Sequence, residues 1–219
     1  MSKKLIIVGS GNAALCAGIS ALEKGATVKI LEKANENLAG GNTKYTAGAM
    51  RFVYNNGDEL KPLLKDPNDP KLEKTNFGKY SKEKFSEDLL NFNDGKPLTI
   101  EQKTLINESY ETMKWLASHD VKFEPIYQRQ SFEKDGKFIF WGGLTLASKN
   151  EGVGLFDQEL EAFKKLGGEI EYETPVTELI RDEEKIIGVK TADKVFIADA
   201  VILASGGFEA NKEMRSKYL

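Results

Sequence analysis

The 219-residue chain has one cysteine, Cys16, and one histidine, His119. A single cysteine excludes an intrachain disulfide and leads to the expectation of a reducing, cytoplasmic setting. One histidine and one cysteine are too few for a zinc site of ordinary ligand composition. Charge of one sign is scarce as well: 31 Lys and Arg stand against 34 Asp and Glu, a formal net charge of −3. No basic excess exists to neutralise phosphates, so nucleic acid is not expected as a partner. No apolar run approaches the roughly 20 residues that span a bilayer. The first apolar stretch stops at Gly9, too early for the core of a signal peptide. With 40% hydrophobic and 30% charged residues, the composition is that of an ordinary soluble globular protein. The length suits one domain or one and a half.

What is present is concentrated in the first fifty residues. Leu5-Ile6-Ile7-Val8 runs into Gly9-Ser10-Gly11-Asn12-Ala13-Ala14. Residues 4–8 read as a buried strand, 12–24 as a helix stopped by Gly25, and 26–31 as a second strand ending on Glu32. This is a right-handed parallel crossover with a tight glycine turn. Gly9 permits the turn, Gly11 lets backbone approach a pyrophosphate at the helix N-terminus, and Ala14 lets helix and strand pack closely. Asn12 and Ala13 complete the loop. Glu32 stands about 20 residues on, where a carboxylate binds ribose hydroxyls. Lys33 adjoins it. A carboxylate there disfavours a 2′-phosphate and so disfavours NADP. The pattern points to a dinucleotide.

A second glycine-rich segment, Gly40 to Gly48, narrows the choice to FAD. A nicotinamide dehydrogenase has no need of another glycine loop so soon after the ribose carboxylate. The tricyclic flavin ring requires close backbone approach and small hydroxyl donors. Thr43 and Thr46 can donate, and Asn42 can contact the ring or the pyrophosphate.

In these segments the chain resembles the succinate dehydrogenase/fumarate reductase flavoprotein superfamily. Gly40-Gly41-Asn42-Thr43 followed by Ala47-Gly48 matches its GGN[ST]xxxAGG loop, with Ala49 departing from the last glycine. Thr174 to Ile180 resembles the segment whose backbone, around Val176, pairs with adenine; the plain alternative is an ordinary strand residue. Ala204-Ser205-Gly206-Gly207-Phe208 resembles the glycine turn that returns the chain to FAD, with Ser205 in place of threonine. The resemblance covers nearly the whole chain. It implies an α/β, Rossmann-like FAD-binding domain of the glutathione-reductase type, with a parallel sheet, a small antiparallel β-meander and part of an inserted cap. Residues 1–57 and 145–219 form the expected FAD-binding core. Residues 58–144 form the expected helical and loop insertion toward the substrate side.

The resemblance also carries chemical expectations. Asn42 stands where respiratory members carry the histidine that bonds flavin covalently, so noncovalent FAD is expected. Val8 to Cys16, Thr46 to Tyr54 and Phe138 to Leu144 are similar to the FAD-dependent tricarballylate dehydrogenases, which implies hydride transfer to flavin N5 and conversion of tricarballylate to cis-aconitate. The polar stretch from Asp58 to Lys84 matches less. The alternatives are a soluble fumarate-reductase-type flavoprotein and a noncatalytic FAD-binding module. A membrane-associated iron–sulfur protein is the implied electron acceptor. A polycarboxylate needs cations, and arginine suits bidentate contact. Of the four arginines, Arg51 and Arg129 are the substrate-side candidates, a surface role being the alternative for each. No catalytic residue is assigned. Those residues are expected beyond Leu219, where a helix reads as just beginning, so the chain is expected to be the N-terminal part of a longer protein.

Elsewhere, 99–118 reads as an amphipathic helix, 121–123 and 137–141 as short strands, and 153–166 as a helix closed by Gly167-Gly168. Residues 169–172, 176–180, 186–191 and 195–197 read as β pieces, the last three as a meander, and 201–204 as a further buried strand. His119 reads as a helix C-terminal residue favoured by the dipole. Cys16 reads as packed within its helix. Trp141-Gly142-Gly143 is either substrate-facing or a turn, and Gly152-x-Gly154 either approaches the cofactor or opens a helix.

Overall fold

The structure, a computed structural model, describes residues 2–219. In chain order the regular elements are β1 (Lys4–Val8), α1 (Asn12–Glu23), β2 (Thr27–Leu31), β3 (Ala49–Met50), β4 (Thr75–Asn76), α2 (Lys82–Phe92), α3 (Ile100–Ser118), β5 (Phe123–Pro125), α4 (Tyr127–Gln130), β6 (Ser131–Lys134), β7 (Lys137–Phe140), β8 (Leu146–Ser148), α5 (Glu151–Lys165), β9 (Glu169–Glu171), β10 (Glu178–Asp182), β11 (Lys185–Lys190), β12 (Val195–Ile197), β13 (Ala200–Leu203) and α6 (Lys212–Tyr218). They group into two units, Met1–Tyr45 with Glu159–Leu219, and Thr46–Gln158. The insertion expected from the sequence, 58–144, lies inside the second unit.

In the first unit four strands form a parallel sheet in the order β13-β1-β2-β9. Ile6 pairs with Val201 on one side and Lys29 on the other. Ile7, Val28 and Ile30 are buried, as are Ala14, Leu15 and Ile19 on the inner face of α1. Burying each of the larger side chains contributes about 1.5–3 kcal/mol. Because the strands are parallel, the turns after β1, β2 and β13 emerge at one edge, where α/β sheets bind ligands.

The meander β10-β11-β12 is antiparallel. It joins the sheet through a cluster of Ile6, Leu31, Val189 and Ala198, flanked by Val8, Val176, Phe196 and Val201. Val176, expected in a strand, instead lies in a connecting segment before β10. Glu173 N and Thr174 N donate to Ala34 O and Glu32 O, tying that segment to the end of β2. Pro175 follows and has no N–H for a ladder. Pairing with β11 begins only where Thr177 N donates to Lys190 O.

The second unit carries two three-stranded sheets, β3-β8-β5 and β4-β7-β6. Helix α3 starts at a capping box: Thr99 Oγ1 accepts from Gln102 N, and the Gln102 side chain accepts from Thr99 N. His119 is its C-cap. The strand expected at 121–123 begins at Phe123, because Val121 N still donates to Leu116 O and finishes the helix end. Among the described residues, no helix is long and apolar enough to cross a membrane.

Candidate functional site

The turn after β1 is built by contact between two backbones. Gly9 has φ +98°, and a Cβ placed on it would lie 2.5 Å from the carbonyl oxygen of Ala204. Ala204 N donates to Val8 O at 2.9 Å, so the turn after β13 is held beside the turn after β1. Gly206, with φ +76°, continues that second turn, and Ser205 is exposed there.

Gly11 is the N-cap of α1 and supplies no side-chain cap. Asn12 N donates to Thr43 Oγ1 at 2.9 Å, and Leu15 N closes the first turn onto Gly11 O at 3.0 Å. The amides of Ala13 and Ala14 have no acceptor among the described residues, and the first turn contains no acidic side chain. Free N–H groups and the positive end of the helix dipole make this terminus a seat for an anion. Thr43 thus serves as an acceptor for the first turn of α1.

Glu32 is 7% exposed at the end of β2. Ser10 Oγ donates to Oε2 at 2.6 Å, and Ala34 N donates to Oε1 at 2.8 Å. Gly40 N donates in turn to Ser10 Oγ at 3.1 Å. The carboxylate is thereby fixed, and each oxygen retains a lone pair for a ribose hydroxyl. Ser10 was missed in the sequence; its place between two glycines was the available signal. Tyr172 was also missed. Its buried hydroxyl has no partner among the described residues, and burial raises its pKa, with Glu36 and Glu32 adding to the rise. Lys33 is exposed. The Val176 amide and carbonyl have no backbone partner among the described residues.

The second glycine segment divides between the units. Gly40 is buried with φ +105°, and Gly41–Tyr45 form a 3-10 helix with Gly41 and Asn42 exposed. Thr46, Ala47 and Gly48 belong to the second unit. There, Thr46 O accepts from Gly152 N at 3.0 Å, and Gly48 O accepts from Ser148 N at 2.9 Å. The segment is therefore fastened to β8 and to the start of α5. Gly152 and Gly154 both lie within that helix.

Arg51 and Arg129 are not brought together. Arg51 Nη1 donates to Tyr80 Oη at 2.9 Å and pairs with Asp88 at 3.4 Å, beside a cavity of about 480 Å³. Arg129 pairs with Glu151 at 3.2 Å and lines a different cavity of about 520 Å³ with Lys71, Tyr127 and Ala47. Trp141 is exposed and stacks on Phe132. His119 contacts Trp115 edge-on.

A parallel sheet, a bare helix N-terminus and a fixed carboxylate at one edge define a dinucleotide-binding domain. The family described as FAD binding domain matches residues 4–218, and the chain belongs to it, within the succinate dehydrogenase/fumarate reductase flavoprotein superfamily. The residues fit FAD: the first glycine turn leaves no room for a Cβ, and the helix amides and Glu32 offer the needed donors and acceptors. The chain is 31% identical over 232 residues to urocanate reductase of Eggerthella lenta, covering 98% of this chain and 33% of that protein. It is 24% identical over 262 residues to NADH:acrylate oxidoreductase of Vibrio harveyi, covering 98% and 25%. The chain thus spans a quarter to a third of these relatives. The fold resembles the open conformation of a flavocytochrome c3 fumarate reductase (TM-score 0.71, 21% identity, 99% of this chain and 36% of that one). It also resembles 3-ketosteroid Δ1-dehydrogenase of Sterolibacterium denitrificans (TM-score 0.73, 15% identity, 99% and 50%). The two curated relatives are named for urocanate and acrylate, and they lend no support to tricarballylate as the substrate.

Proposed function

We propose that this chain supplies the FAD site of a flavoprotein reductase that saturates the C=C bond of a small unsaturated carboxylate. The observation that carries the reading is the edge of the parallel sheet, where the bare N-terminus of α1 and the fixed Glu32 carboxylate stand together. FAD, when bound, supplies hydride at N5, and a proton from elsewhere completes the saturation. The residues of this chain hold the cofactor. The α1 amides take the pyrophosphate, Glu32 takes the ribose, the free backbone of Val176 takes the adenine, and the turn after β13 closes over the middle. Asn42, an amide, has no nucleophilic nitrogen for a flavin bond, so FAD is held noncovalently. The reductive direction is supported by the names of the similar proteins, urocanate reductase and NADH:acrylate oxidoreductase. The test is anaerobic reduction of the bound flavin, followed by urocanate, fumarate, acrylate or cis-aconitate in turn. Return of the oxidised visible spectrum with one of them is the expected result. Failure with all four overturns the reading.

A second reading is favoured by the sequence of Thr46 to Tyr54, which resembles the tricarballylate dehydrogenases. In it, oxidised flavin is bleached by tricarballylate but not by succinate, and the electrons pass to a membrane-associated iron–sulfur protein.

A further inference from the structure

Glu159 lies within α5 and exposes none of its surface. Its Oε1 is 3.7 Å from Cys16 Sγ, and its Oε2 has no hydrogen-bond partner among the described residues. Cys16 Sγ is in turn 3.3 Å from Oδ1 of Asn12, the first residue of α1. A buried carboxyl is therefore connected, through one thiol, to the N-terminus of α1.

The thiol has one proton, and two acceptors compete for it. With Glu159 protonated, the carboxyl O–H donates to Sγ and the thiol donates to Asn12 Oδ1. The Asn12 Nδ2 group is then the free end of the amide. With Glu159 ionised, the thiol proton turns to the carboxylate, Asn12 Oδ1 loses its donor, and a negative charge sits behind the anion seat. We propose that Glu159 is a positioning residue for FAD: in its neutral form it orients Cys16 and Asn12 so that the Asn12 amide joins the Ala13 and Ala14 N–H groups at the pyrophosphate, and its ionisation loosens the cofactor.

The charge balance permits this. Burial pushes the Glu159 carboxyl up to about 8, so both forms occur near neutral pH. Burial, with Glu159 adding, pushes the Cys16 thiol far up, so it stays protonated throughout. From α1 the titratable group facing Glu159 is Cys16, and no other titratable group adds to its shift. On α5 itself the neighbouring Asp157 and Glu161 are exposed.

The inference rests on FAD as the ligand. The test is FAD affinity of the full chain, read by flavin fluorescence from pH 6.5 to 9.5, for the wild type, E159Q and E159L, with thermal stability followed in parallel. The wild type should weaken about tenfold across the range, as expected when one proton must be held on a group titrating near the middle. E159Q should match the wild type at pH 6.5 within about twofold and show no pH slope. E159L, which loses the donor to Sγ, should bind about three- to tenfold more weakly at pH 6.5, again without a slope. A wild-type slope that survives in E159Q and E159L overturns the relay and leaves the FAD reading intact. No FAD binding by the wild type at any pH overturns the FAD reading itself, and the relay with it.

Discussion

Gly9 and Ala204 meet backbone to backbone, with space for no Cβ between them: one placed on Gly9 would come within 2.5 Å of the Ala204 carbonyl oxygen. The turns after β1 and β13 are thus one structure, although they are separated by most of the chain. Gly9→Ala would force a side chain into that gap at φ +98°. Left-handed strain and overpacking each cost about 1–3 kcal/mol. The expected result is a lower melting temperature and FAD affinity reduced by at least about tenfold, measured by thermal denaturation and flavin fluorescence. Unchanged affinity would show that the two turns need not touch for the cofactor to bind.

Glu32 is part of the fold as well as the proposed ribose ligand. It accepts from Ser10 Oγ and Ala34 N while nearly excluded from solvent. Glu32→Gln replaces one acceptor with an N–H₂ that faces a donor. A buried donor left without a partner costs about 1–3 kcal/mol. Both stability and FAD affinity should fall. Ser10→Ala should lower stability by a smaller amount, about 1 kcal/mol, because it strands the Gly40 N–H. Equal FAD affinity in the wild type and E32Q would exclude the ribose role.

The buried Glu159 predicts the sign of a pH effect on folding. Its pKa rises from 4.5 in the unfolded chain to about 8 in the fold. Between those values the native state holds a proton that the unfolded state has released. Stability from this group is therefore full below about pH 4.5, is lost as pH rises toward 8, and is flat beyond. The loss is of order 5 kcal/mol at most, at about 1.36 kcal/mol per unit. Glu159→Leu should remove that slope and gain stability at pH 8 relative to the wild type. Chemical denaturation at pH 5, 6.5 and 8 measures it, and parallel profiles for both proteins would contradict the assignment.

Asn42 sits exposed at the start of the 3-10 helix that follows the buried Gly40. An amide does not form the covalent link to flavin that an imidazole can. Acid precipitation of the FAD-loaded protein should leave the yellow colour in the supernatant. Colour retained in the washed pellet would require a covalent bond from another side chain.

Much of the first unit was legible in the sequence for a local reason. The strand–turn–helix–strand rhythm, the Gly9 and Gly11 spacing and the Glu32 position are all set within a single stretch of chain. The order of the meander was legible too, since β10, β11 and β12 alternate with short turns. Val176 was misplaced because its backbone bonds go neither to β10 nor to β11. Its neighbours are drawn to Ala34 and Glu32, far away in sequence. Ser10 was overlooked because a serine between two glycines resembles turn filler, and only the fold brings Glu32 and Gly40 to it. From sequence, Arg51 and Arg129 are substrate-side candidates, with a surface role as the alternative for each; only the fold shows that Arg51 pairs with Asp88 and Arg129 with Glu151, beside different cavities.

The sequence by itself determined the cofactor class, because phosphate and flavin recognition rely on glycines and short hydroxyl residues whose spacing along the chain is the signal. Tertiary structure alone decided which buried polar groups meet. Cys16 and Glu159 stand 143 positions apart. No local pattern joins them, because a buried carboxyl takes its character from what the fold packs around it rather than from its neighbours in the chain.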